Sequence, residues 1–189
     1  MLEAEGLRVA VLAQPDWHDA EAFRAMGRPR LGVFIGAGNL DSMVAHYTAA
    51  KRRRSEDFYS PGKRSGCRPD RAAIVYCNRA REAFGPDMPI ILGSLEASLR
   101  RFAHYDYWDD SVRRAILFDA PADLLVYGMG EAATIEIAHR LKKKQSVRTM
   151  TDIPGTGYIT RDPSVCKFDH ITLPSFEDVR DDKRLYAEA

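Results

Sequence analysis

Short apolar runs alternate with amphipathic stretches from Leu7 to Lys142, and the turns between them carry glycine, proline or aspartate. Leu7–Ala13 reads as a buried strand that leaves its sheet through Gln14-Pro15-Asp16. A helix is predicted next, with Asp16 as N-cap, Asp19 and Glu21 at its positive end, Phe23 and Met26 facing inward and Gly27 as the stop. Leu31–Gly36 is a second strand, opening through Ala37-Gly38-Asn39 into a helix that carries Met43, Val44 and Tyr47. From Lys51 to Arg68 the periodicity disappears, leaving a long loop with the basic run Lys51-Arg52-Arg53-Arg54 and the turn residues Ser60-Pro61-Gly62 and Gly66. Loops of this length inside a domain are functional or disordered more often than idle.

Beyond the loop, Ala73, Tyr76, Cys77, Ala80 and Phe84 share one helical face, so Pro69–Phe84 is predicted to be a helix, with Pro69 in its first turn and Gly85-Pro86 ending it. Pro89–Gly93 is a core strand, and Ser94 begins a helix with Leu95, Leu99 and Phe102 as its apolar stripe. A short helix starting at Asp109 or Asp110 takes in Val112 and Ile116. Ala122–Tyr127 is the next strand, closed by Gly128-Met129-Gly130-Glu131 and followed by a helix through Ile135, Ala138 and Leu141. Lys142-Lys143-Lys144 at its end opposes the negative pole of the helix dipole and reads as a solvated terminus. Tyr158–Thr160 and Phe168–His170 are predicted to form the arms of a hairpin, and from Leu173-Pro174 onward the chain turns polar, as a linker or tail.

This alternation predicts an α/β fold, an open and mostly parallel sheet with helices on both faces. Ligands in such sheets bind beyond the carboxyl ends of the strands. Glycine precedes the helix at three of those ends, Gly36-Ala37-Gly38-Asn39, Gly93-Ser94 and Gly128-Met129-Gly130-Glu131. Glycine there serves either a ligand that approaches the backbone or a tight strand-to-helix turn. Asp41 stands where a dinucleotide fingerprint needs its third glycine, and Ser94 lacks a nucleophile elbow, which removes a plain dehydrogenase or hydrolase.

Composition narrows the classes further. With 28 Lys+Arg against 27 Asp+Glu the net charge is +1, so no overall field draws the chain to nucleic acid or an anionic membrane. No apolar run reaches the roughly 18 residues of a membrane span, and Met1-Leu2-Glu3-Ala4-Glu5 lacks a secretory signal's regions, so a cytoplasmic location is expected. Cys67, Cys77 and Cys166 are too widely spaced for a zinc or iron–sulfur motif and read as reduced, structural thiols, so no metal site is expected. The densest chemistry is His104-Tyr105-Asp106-Tyr107-Trp108-Asp109-Asp110, flanked by Arg100-Arg101 and Arg113-Arg114. It is either a recognition surface, with aromatic faces and arginines to stack on bases or a planar cofactor, or a corner whose charges pair locally. Asp16-Trp17-His18 is a candidate metal-facing Asp-x-His, or a capping turn.

The run from Gly93 to Trp108, with Val112-Arg113-Arg114 and Ala122–Glu131, closely resembles the N-terminal region of the YgiQ family of radical SAM proteins. Gln14–Trp17, Ala37–Met43 and Arg68–Arg71 fit the same pattern, so the resemblance covers nearly the whole chain. It implies a flavodoxin-like, cobalamin-binding-type domain over 1–160, and over 161–189 a hairpin arm and linker toward a radical SAM barrel. The [4Fe–4S] cluster and S-adenosylmethionine would belong to that barrel, since no Cys-x3-Cys-x2-Cys occurs here, and the chain would be inert alone. Asp16 and His18 match the start of the cobalamin signature Asp-x-His-x-x-Gly, but Glu21 takes the place of its glycine. By the resemblance, Gly38, Asn39, Gly93, Ser94, Glu96, Gly128, Gly130 and Glu131 would border a cobalamin-like ligand. His104, Tyr105, Asp106, Tyr107, Trp108 and Arg113 would meet substrate or the barrel. The alternative is an RNA-binding module whose basic face joins Lys51–Arg54, Arg100–Arg114 and Lys142–Lys144.

Overall fold

The computed structural model describes residues 1–188. Strands β1 (Val33–Gly36), β2 (Ile90–Gly93), β5 (Leu124–Val126) and β6 (Thr156–Gly157) form one sheet in that order. β1, β2 and β5 run parallel, and β6 is antiparallel to β5. The register sets Ile35 beside Leu92 and Leu92 beside Leu125.

Successive side chains of these strands point to opposite faces, and the core divides accordingly. Ile35, Ile90, Leu92 and Leu125 pack on the face covered by helix α2 (Ala72–Phe84), against Ala73, Tyr76, Cys77, Ala80 and Phe84. Ile91, Leu124 and Val126 pack on the other face, against Ala133, Ile137 and Leu141 of helix α4 (Glu131–Lys142). Each fully buried Leu or Ile side chain contributes roughly 1.5–3 kcal/mol. The sheet is thus doubly wound, the mostly parallel α/β arrangement that the alternation of elements predicted, and it is consistent with the flavodoxin-like fold that the resemblance implied. No helix among the described residues is long and apolar enough to cross a membrane.

Local chemistry overrides the sequence reading in several places. The helix expected from Asp16 reduces to a 3-10 turn at Ala22–Arg24, because Asp16 and Asp19 each take the amide of the residue two further on and favour Asx turns. Helix α1 (Ser42–His46) is short, with Asp41 accepting from the amides of Met43 and Val44, and Tyr47 lies just past its end. Helix α2 starts at Ala72 and not at Pro69, because Arg71 sits in the left-handed region at φ 51. Helix α3 (Ser94–Leu99) forms, but its predicted apolar stripe faces outward: Leu95, Leu99 and Phe102 are 42%, 59% and 52% exposed, whereas Glu96 and Ala97 are buried.

No helix starts at Asp109 or Asp110. Strands β3 (His104–Asp106) and β4 (Ser111–Arg113) form an antiparallel hairpin, because the Asp106 carboxylate accepts the Trp108 and Asp109 amides and Asp110 adopts φ 50, which together turn the chain. The expected hairpin of Tyr158–Thr160 with Phe168–His170 does not form. Thr156–Gly157 pairs with β5 instead, and Asp162 caps a 3-10 turn at Pro163–Val165. The polar end is not a featureless tail: Ser175 and Asp178 make a capping box that starts helix α5 (Phe176–Asp181), Val179 is buried, and helix α6 (Lys183–Glu188) follows. α5 packs against β4, and the Tyr186 hydroxyl accepts the Tyr105 amide at 2.9 Å. Leu7–Ala13, predicted as a buried strand, pairs with nothing among the described residues, and Val9 and Val11 are 42% and 76% exposed.

Candidate functional site

The carboxyl ends of β1 and β2 are tied by a polar knot that is exposed at Ser94 and buried at Asp41, Ser42 and Glu96. Ser94 opens α3 at φ 73, a strained conformation for a residue with a side chain, and its Oγ accepts the Ala37 amide at 3.1 Å. Gly36 is the close approach that allows this: a Cβ there would stand 3.0 Å from that of Ser94. Glu96 lies fully buried, one carboxylate oxygen accepting the Ser42 amide at 3.0 Å and the other the Ala73 amide at 3.1 Å. The Ser42 hydroxyl accepts the Ala72 amide at 3.0 Å. Glu96 and Ser42 therefore satisfy the first amides of α1 and α2, and Arg100 pairs with Asp41 beside them. Glu96, expected at a ligand, has both oxygens engaged by backbone.

Beside this knot a cavity of about 310 Å³ opens on the α4 face, at the lower end of the size range of ligand sites. Gly36, Gly93, Ser94, Gly128 and Gly130 rim it, and Phe34, Ile91, Val126, Thr134 and Leu2 form its walls. The structure thus gathers Gly93, Ser94, Gly128 and Gly130 around one cavity. Two of these glycines also have purely structural reasons. Gly128 is left-handed at φ +66, and a Cβ on Gly130 would come within 2.5 Å of Val126 Cγ1. Gly38, Asn39 and Glu131 are exposed and outside the cavity lining.

Asp16 and His18 do not join this site. The His18 ring bonds Asp16 at 2.6 Å with both side chains exposed, and it stacks on Trp17, whose carbonyl is held by Arg79 of α2. Asp16 is correspondingly more acidic than usual, chiefly through that side-chain hydrogen bond. The residues present do not fit a histidine-ligated cobalamin: the imidazole lies outside the cavity, and Glu21 replaces the signature's glycine.

The long loop is ordered by ion pairs that the sequence reading did not single out. Asp57 and Arg68, both nearly inaccessible, bond at 2.9 Å, and Ser60 donates to Asp57 at 2.7 Å. Burial alone would raise the Asp57 pKa, but hydrogen bonds from Ser60, the Tyr59 amide and Arg68 hold it below the usual carboxylate range. Asp70 accepts from His46 Nδ1 and from the Tyr47 hydroxyl, each at 2.7 Å. Those bonds outweigh burial and keep Asp70 ionised, while Tyr47 is pushed up by its hydrogen bond to that carboxylate. His46 is fully buried and its Nε2 has no hydrogen-bond partner among the described residues.

The β3–β4 hairpin docks on this loop. Tyr107 donates to the Ala49 carbonyl, Lys51 to the Trp108 carbonyl at 3.2 Å, and Tyr47 packs on Trp108. Arg71 bridges Asp106 at 2.9 Å and Asp109 at 2.7 Å, and Arg113 bridges Asp109 at 3.0 Å and Asp119 at 2.9 Å. Burial favours the protonated form of Asp106, but the Arg71 bond and two backbone amides hold it ionised. Burial also lowers the His104 pKa. Asp106, Asp109 and Arg113 of the hairpin are thus engaged in ion pairs with one another and with Arg71 and Asp119, and Tyr105 and Tyr107 remain about half exposed.

Lys51 of the basic loop meets Trp108 within the Arg100–Arg114 stretch, whereas α4 begins at the carboxyl end of β5 and runs back for 12 residues, about 18 Å at 1.5 Å per residue, carrying Lys142–Lys144 away from that end. No group of three or more His, Cys, Asp or Glu that could hold a metal ion occurs among the described residues. Cys77 is buried, its thiol pushed up to about 12 by desolvation.

The family model described as "Radical SAM N-terminal" matches residues 1–189. A UPF0313 protein of Clostridium botulinum (strain 657 / Type Ba4) is 54% identical over 189 residues, all of this chain and 29% of the relative. One from Methanocella arvoryzae is 54% identical over 189 residues, covering 31% of its length, and one from Clostridium perfringens (strain SM101 / Type A) is 52% identical over 188 residues, covering 28%. No solved structure matches the chain. The chain spans less than a third of these curated relatives, and with the family model matched from end to end it belongs to the radical SAM N-terminal family, the domain that UPF0313 proteins carry.

Proposed function

We propose that this chain is a non-catalytic accessory domain that docks the carboxyl edge of its sheet onto the radical SAM catalytic domain of the longer polypeptide. The observation that carries this reading is the outward-facing apolar side of α3. Leu95 and Leu99 of α3 are exposed, as is Phe102 three residues past its end, and Met129, in the loop that rims the cavity, is 89% exposed. Exposed apolar groups gathered at one edge mark an interaction surface. The family supplies a partner: the [4Fe–4S] cluster and S-adenosylmethionine belong to the catalytic domain, and this chain contributes walls and docking contacts. Its own residues exclude water from the strand ends and fix the Ser94 and Gly130 turns against that domain.

The test is Leu99→Asp with Phe102→Asp. Both side chains are exposed, so the isolated chain keeps its thermal midpoint. In the full-length protein the pair lowers reductive cleavage of S-adenosylmethionine by tenfold or more, roughly 1.4 kcal/mol or above. Unchanged cleavage refutes docking through α3. The ligand half of the reading, a cobalamin-like group held at the cavity without a histidine ligand, is tested by titrating the full-length protein with hydroxocobalamin. An unaltered absorption spectrum leaves the docking role by itself.

A further inference from the structure

We infer that the sheet takes one further parallel strand, between Leu7–Ala13 and β1, and that this strand comes from the same longer polypeptide and completes the ligand crevice. Three observations converge on the gap. Among the described residues β1 is hydrogen-bonded on one side only, to β2, and its Phe34 is 38% exposed where a parallel sheet is normally covered. Leu7–Ala13 is strand-like in sequence, yet residues 8–13 make no backbone hydrogen bond among the described residues. Leu2–Glu5 is a single helical turn, ended by Gly6 at φ 70 with its amide bonded back to Glu3 and Leu2, as a longer helix ends.

Handedness gives these pieces an order. From β1 to β2 the chain crosses by α2 on one face, and right-handed crossovers moving the opposite way along the sheet place their helix on the other face. The Leu2–Glu5 turn is on that other face, with Glu5 paired to His139 of α4 at 3.0 Å. It is therefore the end of a crossover helix that leads from the inferred strand out to Leu7–Ala13. From there the chain returns to β1 over the α2 face, where Leu12, Trp17 and Phe23 pack into the α2 core. The complete parallel order is Leu7–Ala13, inferred strand, β1, β2, β5, the flavodoxin-like arrangement in which ligands bind beside the first strand at the reversal of strand order. One wall of that crevice is Gly36-Ala37-Gly38-Asn39; the other is the carboxyl end of the inferred strand. The cavity between Leu2 and Phe34 is the part of it already formed. This inference stands independently of docking through α3.

Amide hydrogen exchange on the chain alone and on the full-length protein tests it. The expected result is rapid exchange of Leu7–Ala13 in the chain alone and slowing by roughly a hundredfold or more in the full-length protein, with added protection of β1. A second readout is Val11→Asp, which leaves the thermal midpoint of the chain alone unchanged and lowers that of the full-length protein by several degrees. Equal exchange of Leu7–Ala13 in both contexts overturns the proposal. So does protection that appears in the chain alone together with dimers in sedimentation, since a second copy then occupies the edge.

Discussion

Asp57 and Arg68 show how much of this molecule rests on single buried groups. Their mutual bonds fix a loop without apolar periodicity, so Asp57→Asn leaves a buried guanidinium without its counter-charge and lowers unfolding free energy by about 3–5 kcal/mol in denaturant titrations. Asp57, Asp70 and Asp106 all titrate below their unfolded range. The stability they contribute is fully present above about pH 4, the unfolded carboxylate value, and is lost as pH falls through the folded values. The urea midpoint is therefore expected to hold between neutrality and pH 5 and to collapse below pH 4, less steeply in Asp57→Asn. Gly130→Ala forces a Cβ against Val126 and is expected to lower stability by about 1–3 kcal/mol, read from thermal unfolding. The strand-end glycines were visible in the sequence, but their meaning was not. Gly36 and Gly130 are required by neighbours only the fold supplies, Ser94 across the β1–β2 pair and Val126 in the preceding strand.

Among the elements, those built on apolar periodicity were legible: α2, α4, β1, β2 and β5 appear where the runs predicted them. The short elements were decided by side chains that compete with the backbone. Asp106 converts an expected helix into the β3–β4 hairpin, and Asp16 with Asp19 holds the following segment in turns. The Ser175–Asp178 capping box was readable by its spacing and starts α5 in a stretch whose polarity suggested a tail. Ser175→Ala removes that cap and is expected to weaken α5 by about 0.5–2 kcal/mol, measured as faster amide exchange around Asp178 and Val179. α3 is the instructive failure. Its sequence puts Leu95, Leu99 and Phe102 on one stripe, and amphipathic reasoning buries such stripes, yet Glu96 is buried beside Ala97 because two helix N-termini need its oxygens. The stripe left outside is what makes Leu99→Asp with Phe102→Asp a test of docking and not of folding.

At the scale of the whole molecule, the carboxyl edge of the sheet is assembled from parts far apart in the chain. Ser42 and Ala73 meet at Glu96, Ala37 meets Ser94 across 57 residues, and Tyr186 returns to Tyr105 across 81 residues. The exposure of Val11 and the one-sided pairing of β1 belong to this scale too, and they predict protection of both in the full-length protein. The sequence by itself determined the α/β class, the parallel core strands and the carboxyl-edge location of the glycines, because burial on both sheet faces writes continuous apolar runs and a 3.6-residue period into the chain. It also carried the family, through the unbroken run from Gly93 to Trp108. Only the tertiary structure decided which carboxylates are structural, which apolar stripe faces outward and which strand lacks a partner. Those outcomes depend on hydrogen-bond donors and strand neighbours distant in sequence, and no local pattern encodes them.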